Sequence, residues 1–532
     1  MTGNSDLYEL IKELSKTEKA YFKKYVYKGK SKSNLYINLF NDIDKGVSKS
    51  NYLVDILDKK LRVKYAGKTS FSSLKNYLYN LTLKSLIDYR KTNERDQEVM
   101  DMYKKGLVLE ELNLHQQAIK LLGRALKKAK ELYLSEAQSL IYKALINIAG
   151  RIEQFEENSK LHKYKLEYIE FNKVREQEDF INLQNIILEQ KIRQFGAVRN
   201  EDHKRKIEKI VKNPKIAEDQ LLSLKAKKYY YQILMNYYIF TYEARFHLYY
   251  QMRYLRLLEQ NPGLDSDNIV TKIESYFKIT QQCLRINRLS LAQNYFRKFK
   301  TLKPVRNKDI TDYEQCHLYL TVLETYLSFK FNKVVELIPL VESKFKAYNG
   351  FPKKALNLSL SYFLTMACIF EEKYDLAIKW INYFLDNEPK SFLPEYKSAI
   401  RIINLVIHTE LQNFALMPYL LRNTYRYFID KVELLDTEKE IIDLLRKRSK
   451  MINKKEIEKL YTEKTKVFKE LKNIHTERLF YMFFDIELWL QSKMENKPFK
   501  LVTEEVNKIL FEKSLKERRE AYKSKTVKKE LV

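Results

Sequence analysis

With 532 residues, 45% of them hydrophobic and 31% charged, the chain is too long for one compact core and has ample material to bury. Only 10 glycines and 9 prolines punctuate it, which speaks against all-β folds with their frequent glycine-bearing turns and for helices joined by short loops. The formal net charge of +29 would attract polyanions such as nucleic acid, ribosomes or anionic membranes; the abundance of Lys, Tyr, Ile, Asn and Phe, all with AT-rich codons, offers genome composition as a second source of that charge.

Residues 1–95 read as a small basic helical module, with 20 basic against 10 acidic residues, a positive density more than twice that of the remaining chain. Ser15-Lys-Thr-Glu18 is a capping box, in which the Ser and Glu side chains satisfy the free N–H groups of a starting helix. Lys19, Lys23, Lys24 and Lys28 then alternate with Tyr21 and Tyr25. Lysines and rings together suit single-stranded nucleic acid, since one neutralises phosphate and the other stacks on bases; a solvated helix face accounts for the same lysines. Further on, Leu74, Leu78, Leu81 and Ser85 recur at helical spacing.

Residues 96–430 carry a repeat. Three stretches align without gaps on Ala118, Ala292 and Ala377. Four residues after each anchor stand Leu122, Phe296 and Ile381, and seven after it Ala125, Phe299 and Phe384. Twelve before lie Gly106, Thr280 and Thr365; nine before lie Leu109, Cys283 and Cys368. Pro304 and Pro389 follow twelve after the second and third anchors. This spacing describes a helix hairpin: the anchor and its followers share one helical face, a small residue on the preceding helix permits close approach, and Pro ends the second helix. Weaker copies fall at Val334, near Leu416 and near Asn158. The pattern resembles the tetratricopeptide repeat, with its Gly, Ala-x3-Phe and later Pro over about 34 residues, although Cys or Leu replaces the family's Tyr and the spacing is longer. The resemblance implies an α-solenoid of antiparallel helix pairs with a concave binding groove. The amino-terminal module is similar to the opening module of a group of bacterial helical-repeat proteins.

Within the array, the segment from Lys227 to Leu258 holds nine tyrosines. No residue from Tyr229 to Phe240 is charged, so a helix there is expected to be sandwiched between neighbours. After it, Phe246, Tyr249, Tyr250, Tyr254, Leu257 and Leu258 are expected on a buried face, with Arg245, Arg253 and Arg256 on another. Residues 431–532 read as charged capping helices and a basic tail.

Signs of chemistry are lacking. There is no GxGxxG, no GxxxxGK[ST] and no HExxH, and the seven histidines show no ligand spacing. No catalytic, cofactor or metal residue is nominated. The opening MTGNSDLYEL has no apolar core of a leader, and the longest uncharged run, Ala355 to Phe370, falls short of the ~20 residues of a membrane span. Cys283, Cys316 and Cys368 make no disulfide framework. A cytoplasmic, non-enzymatic protein is expected, a scaffold that binds a peptide or protein partner. The alternative is an RNA-, DNA- or ribosome-binding factor acting through Lys19, Tyr21, Lys23, Lys24, Tyr25 and Lys28.

Overall fold

The computed structural model describes residues 6–14, 16–28, 33–47, 54–65, 70–91, 95–152, 159–195, 201–213, 217–241, 243–265, 268–304, 307–348, 353–389, 394–431, 434–474 and 477–509. Every regular element among them is helical, as the scarcity of glycine and proline implies. No described helix is long and apolar enough to cross a membrane. The chain divides into two compact units, residues 1–171 and 172–532, with the boundary inside the helix Lys160–Phe195.

The first unit holds two hydrophobic cores. Helices Asp6–Glu13, Lys16–Lys28, Ser33–Val47, Val54–Lys64 and Phe71–Lys91 build the first. Phe22 and Phe40 stack at its centre, 4.4 Å apart. Leu74, Leu78 and Ser85 are buried, and Leu81 packs at the margin. The Ser85 hydroxyl is satisfied by donating to the Thr82 carbonyl at 2.7 Å. The helix that the capping box announced runs from Lys16; Ser15 itself lies outside the described residues. One charged cluster is buried here. Lys75 donates to Asp58 at 2.5 Å, and the Tyr8 hydroxyl donates to the same oxygen at 2.8 Å. The second core joins three consecutive helices, Arg95–Glu111, His115–Glu131 and Ser135–Ile152.

One turn recurs through both units and gives the repeat its physical meaning. Asn113, Tyr133, Asn287, Phe329, Glu372, Gln412 and Asn496 all have positive φ, between 52 and 60°. After each, the next N–H donates five residues back: Leu114 to Leu109, Leu134 to Ala129, Arg288 to Cys283, Lys330 to Thr325, Lys373 to Cys368, Asn413 to His408 and Lys497 to Ser492. This is the Schellman ending of a helix, usually built on glycine; here non-glycine residues take the left-handed position. Leu109, Cys283 and Cys368, aligned in the sequence nine before the anchors, are the carbonyl acceptors of this turn. Five residues beyond the left-handed one, Ala118, Gln138, Ala292, Val334, Ala377 and Met417 are buried, whereas Leu501, five beyond Asn496, is exposed. The Leu416 copy thus registers on Met417, and a further turn at Tyr133 escaped the alignment; the weak copy near Asn158 lies outside the described residues.

In the second unit one continuous core runs from Leu248 to Phe499. The pairs Asn268–Arg285 with Leu289–Lys300 and Lys354–Phe370 with Tyr374–Asn387 are hairpins, and helix Asn307–Leu327 packs on both Asn268–Arg285 and Lys354–Phe370. The helices ending at Lys300 and Asn387 stop four and two positions before Pro304 and Pro389. Every residue from Asn357 to Phe370 is buried, so all but the first two residues of the longest uncharged run of the chain lie buried in a helix packed among neighbours. Helix Pro394–Glu410 packs on Lys354–Phe370 and on Asp436–Arg448, extending the layer into the charged carboxyl-terminal third. Buried Glu477 accepts from the N–H groups of Asp436 and Thr437 at 3.2 and 2.8 Å, satisfying the start of that helix.

Candidate functional site

The basic–aromatic cluster of the first unit sits on helix Lys16–Lys28. Lys19 is committed internally, paired with Asp44 at 2.7 Å. The Tyr21 hydroxyl donates to Asp88 at 2.7 Å, a bond that raises its pKa, and its ring lies 4.9 Å from that of Tyr89. Tyr25 is half-buried, with its ring 6.4 Å from Tyr21. Lys23 is half-buried and Lys24 exposed; the Lys28 side chain lies outside the described residues. Two of the nominated side chains therefore tie helix to helix, and Lys24 is turned to solvent.

The tyrosine-rich segment folds as the hairpin Leu224–Phe240 and Ala244–Gln260. Ser223 starts it, its hydroxyl oxygen accepting from the Ala226 N–H at 3.0 Å. Tyr231, Ile233, Leu234, Tyr237 and Phe240 are buried, as expected of a helix between neighbours, but Ile239 reaches the surface. The second helix departs from expectation. Its buried stripe is His247, Leu248, Gln251, Leu255 and Leu258, with Leu257 alongside, while Phe246 and Tyr249 are 51% and 52% exposed. Nor do charge and aromatic segregate: the Arg253 guanidinium lies 5.0 Å over Tyr231 and 5.6 Å over Tyr249, and pairs with Glu218 at 2.9 Å. Period alone could not resolve this, because adjacent stripes on a helix differ by one residue and both contain large apolar side chains.

The outcome is a surface of interlocked rings. Tyr238 stacks on Phe246 at 5.1 Å and on Tyr250 at 5.6 Å, and Tyr249 meets Tyr250 edge-on at 5.0 Å. Burial raises the phenol pKa values of Tyr238 and Tyr250, so these hydroxyls remain neutral at physiological pH. The rings use their faces on one another, which leaves a patch of aromatic edges and one arginine fork.

A second feature of the same unit is a cavity of about 840 Å³. Helices Leu224–Phe240, Asn268–Arg285, Asn307–Leu327 and Lys354–Phe370 contribute one wall, and the segment from Tyr481 to Thr503 the other. The two walls are joined. The Tyr362 hydroxyl donates to the Phe483 carbonyl at 2.5 Å, Phe370 stacks on Phe499 at 4.7 Å, and Lys500 pairs with Glu371 at 2.7 Å. Arg285 opens onto the cavity, 3.4 Å from the Tyr396 hydroxyl. Sequence reasoning passed over this arginine. Its helical neighbours three and four residues away are Gln281, Gln282, Arg288 and Leu289, none acidic, and that lack of a local counter-charge was the signal available.

The cysteines are inert packing elements. Cys283, Cys316 and Cys368 are free and buried, and burial pushes their thiols up, to about 11, 12 and 12. His317, next to Cys316, packs among the rings of Phe296, Phe299 and Tyr313. Among the described residues no cluster of three or more His, Cys, Asp or Glu is placed to hold a metal ion. No protein-family model matches the chain, and no curated protein matches it.

Proposed function

We propose that the protein is a non-enzymatic scaffold or adaptor: a helical-repeat solenoid, similar to tetratricopeptide arrays, that binds a peptide or protein partner. The observation that carries this reading is the aromatic–arginine patch of Phe246, Tyr249 and Arg253. Tyr, Phe and Arg are the residues that anchor protein interfaces, because they cover much apolar area with few rotatable bonds and still offer a polar tip. Exposed large aromatics gathered in one place mark an interaction surface more strongly than single exposed apolar residues do. The recurrent turns support the solenoid, since each ends one helix and starts the next in the same geometry, and such arrays present extended surfaces.

The test is a photo-crosslinking residue placed at position 249, with position 452, whose Ile452 is 97% exposed and distant in sequence, as the control. A discrete protein adduct from 249 alone, unchanged by nuclease, is the expected result. An adduct that nuclease removes would instead favour the nucleic-acid reading. Equal adducts from both positions would sink the patch as a docking surface.

A further inference from the structure

The geometry points to a binding site for a small amphipathic anion in the cavity of residues 172–532: one negative head group on Arg285, and an apolar body along the aromatic wall. This goes beyond partner docking on the Phe246–Tyr249 patch and does not depend on it.

The argument begins with charge. An Arg guanidinium stays protonated in proteins and presents five donors in a planar fork. Arg285 is exposed where its helix lines the cavity, so its fork is accessible to a ligand there. The hydrogen-bond partner of Arg285 is the Tyr396 phenol at 3.4 Å, with the Tyr319 phenol nearby, both neutral groups, and among the described residues no carboxylate makes an ion pair with it. Tyr319 is buried, and burial pushes its hydroxyl up to about 12, so it supplies no negative charge. Gln281, one turn earlier on the same helix, donates to the Tyr319 hydroxyl at 2.8 Å and holds it in place. Two carboxylates do reach the cavity wall, and neither serves Arg285. Asp485 caps the helix Ile486–Met494 through the Leu488 N–H and pairs with Lys472 at 3.2 Å. Glu395 is buried at the start of helix Pro394–Glu410. The fork of Arg285 therefore faces the cavity with a full positive charge and donors to spare.

Size and lining complete the argument. At about 840 Å³ the cavity falls within the range of about 300–1,000 Å³ that encloses small organic ligands. Its walls are mostly apolar, with Leu323, Phe363, Met366, Phe370, Met482 and Phe499 among them. A chamber with one unneutralised arginine and walls of this kind selects a ligand with one anionic end and an apolar remainder. Inorganic anions would leave the walls unfilled, and neutral apolar compounds would leave Arg285 unneutralised. Because the Tyr481–Thr503 segment forms one wall, such a ligand would also hold that segment to the helices beneath it.

Titration calorimetry with decanoate and with decanol, on the full chain and on Arg285→Met, decides the matter. Decanoate should bind about tenfold or more tightly than decanol, the selectivity that a charge-assisted hydrogen bond provides. In Arg285→Met that ratio should collapse to near one while decanol binding persists, and Arg285→Lys should recover part of it. Saturating decanoate should slow amide exchange across residues 481–503 in the full chain. Equal affinity for acid and alcohol, an unchanged ratio in Arg285→Met, or no binding of either compound would each overturn the proposal. None of these outcomes bears on crosslinking at position 249, so the two readings fail separately. A thermal melt of Arg285→Met, expected close to that of the unaltered protein, guards against loss of fold; if it melts early, the ratio is read from Arg285→Lys, where no loss of selectivity would equally overturn the proposal.

Discussion

Gly106 lies so close to Leu122 that a Cβ built at position 106 would come within 2.6 Å of Leu122 Cδ2 and 2.7 Å of its Cγ. Leu122 is wholly buried, so its side chain has little room to retreat. Substituting Ala at 106 removes a helix penalty of roughly 1 kcal/mol but overpacks a core at a cost of roughly 1–3 kcal/mol. Gly106→Ala should therefore destabilise the first unit by about 1 kcal/mol in chemical denaturation. The loss should shrink in a Leu122→Ala background, since residues in contact couple by roughly 0.5–3 kcal/mol. Strict additivity of the two changes would show that the close approach is not limiting.

Glu372 occupies the left-handed turn position with φ of 55° and is exposed. For a residue with a Cβ this conformation costs roughly 1–2 kcal/mol, and glycine avoids that cost while adding roughly 0.5–1 kcal/mol of chain entropy to the unfolded state. Glu372→Gly should raise the denaturation midpoint by a margin equivalent to roughly 0.5–1 kcal/mol. Glu372→Ala, which keeps the Cβ, should give no gain. A lower midpoint for the glycine variant would mean that the Glu372 side chain contributes more than the strain removes.

Tyrosines of one hairpin should separate by burial. Tyr231 is 2% exposed and Tyr249 52%. Truncating a buried aromatic costs roughly 3–5 kcal/mol, whereas surface changes usually stay within about 0.5 kcal/mol. Tyr231→Ala should lower the melting temperature markedly, and Tyr249→Ala should leave it nearly unchanged while weakening partner capture. Equal melting temperatures for the two variants would contradict the burial seen here.

Asp58 supplies a pH test in the first unit. Burial by itself raises its pKa, but hydrogen bonds from Lys75 and Tyr8 outweigh it and hold the carboxyl below its ordinary value. A depressed folded pKa stabilises at pH above the unfolded value of about 3.9, and that stability is lost as pH falls through the folded pKa. Asp58→Asn leaves Lys75 buried without its partner, a change that typically costs roughly 3–5 kcal/mol. The gap between variant and unaltered protein should be full at pH 7 and narrow below about pH 4. A gap independent of pH would assign the loss to packing instead.

The helical class and the hairpin register on Ala118, Ala292 and Ala377 were legible in the residues alone. These properties depend on neighbours three, four or five positions away, and local backbone geometry makes such neighbours meet in any helix. The aligned positions of Leu109, Cys283 and Cys368 even anticipated the acceptors of a turn whose hydrogen bonds span five residues. What the sequence left open depends on pairs far apart in the chain. The one-residue offset that exposes Phe246 and Tyr249 was decided by which stripe of the helix met the core. The pairing of Lys19 with Asp44 and of Tyr21 with Asp88 engages two of the nominated side chains with partners far along the chain. The cavity exists because Tyr481–Thr503 returns to helices more than a hundred residues earlier, bonding Phe483 to Tyr362. No periodicity encodes such a return, since it follows from the shapes of two distant surfaces, and only the tertiary fold places Arg285 on its lining with no ion-pair partner among the described residues.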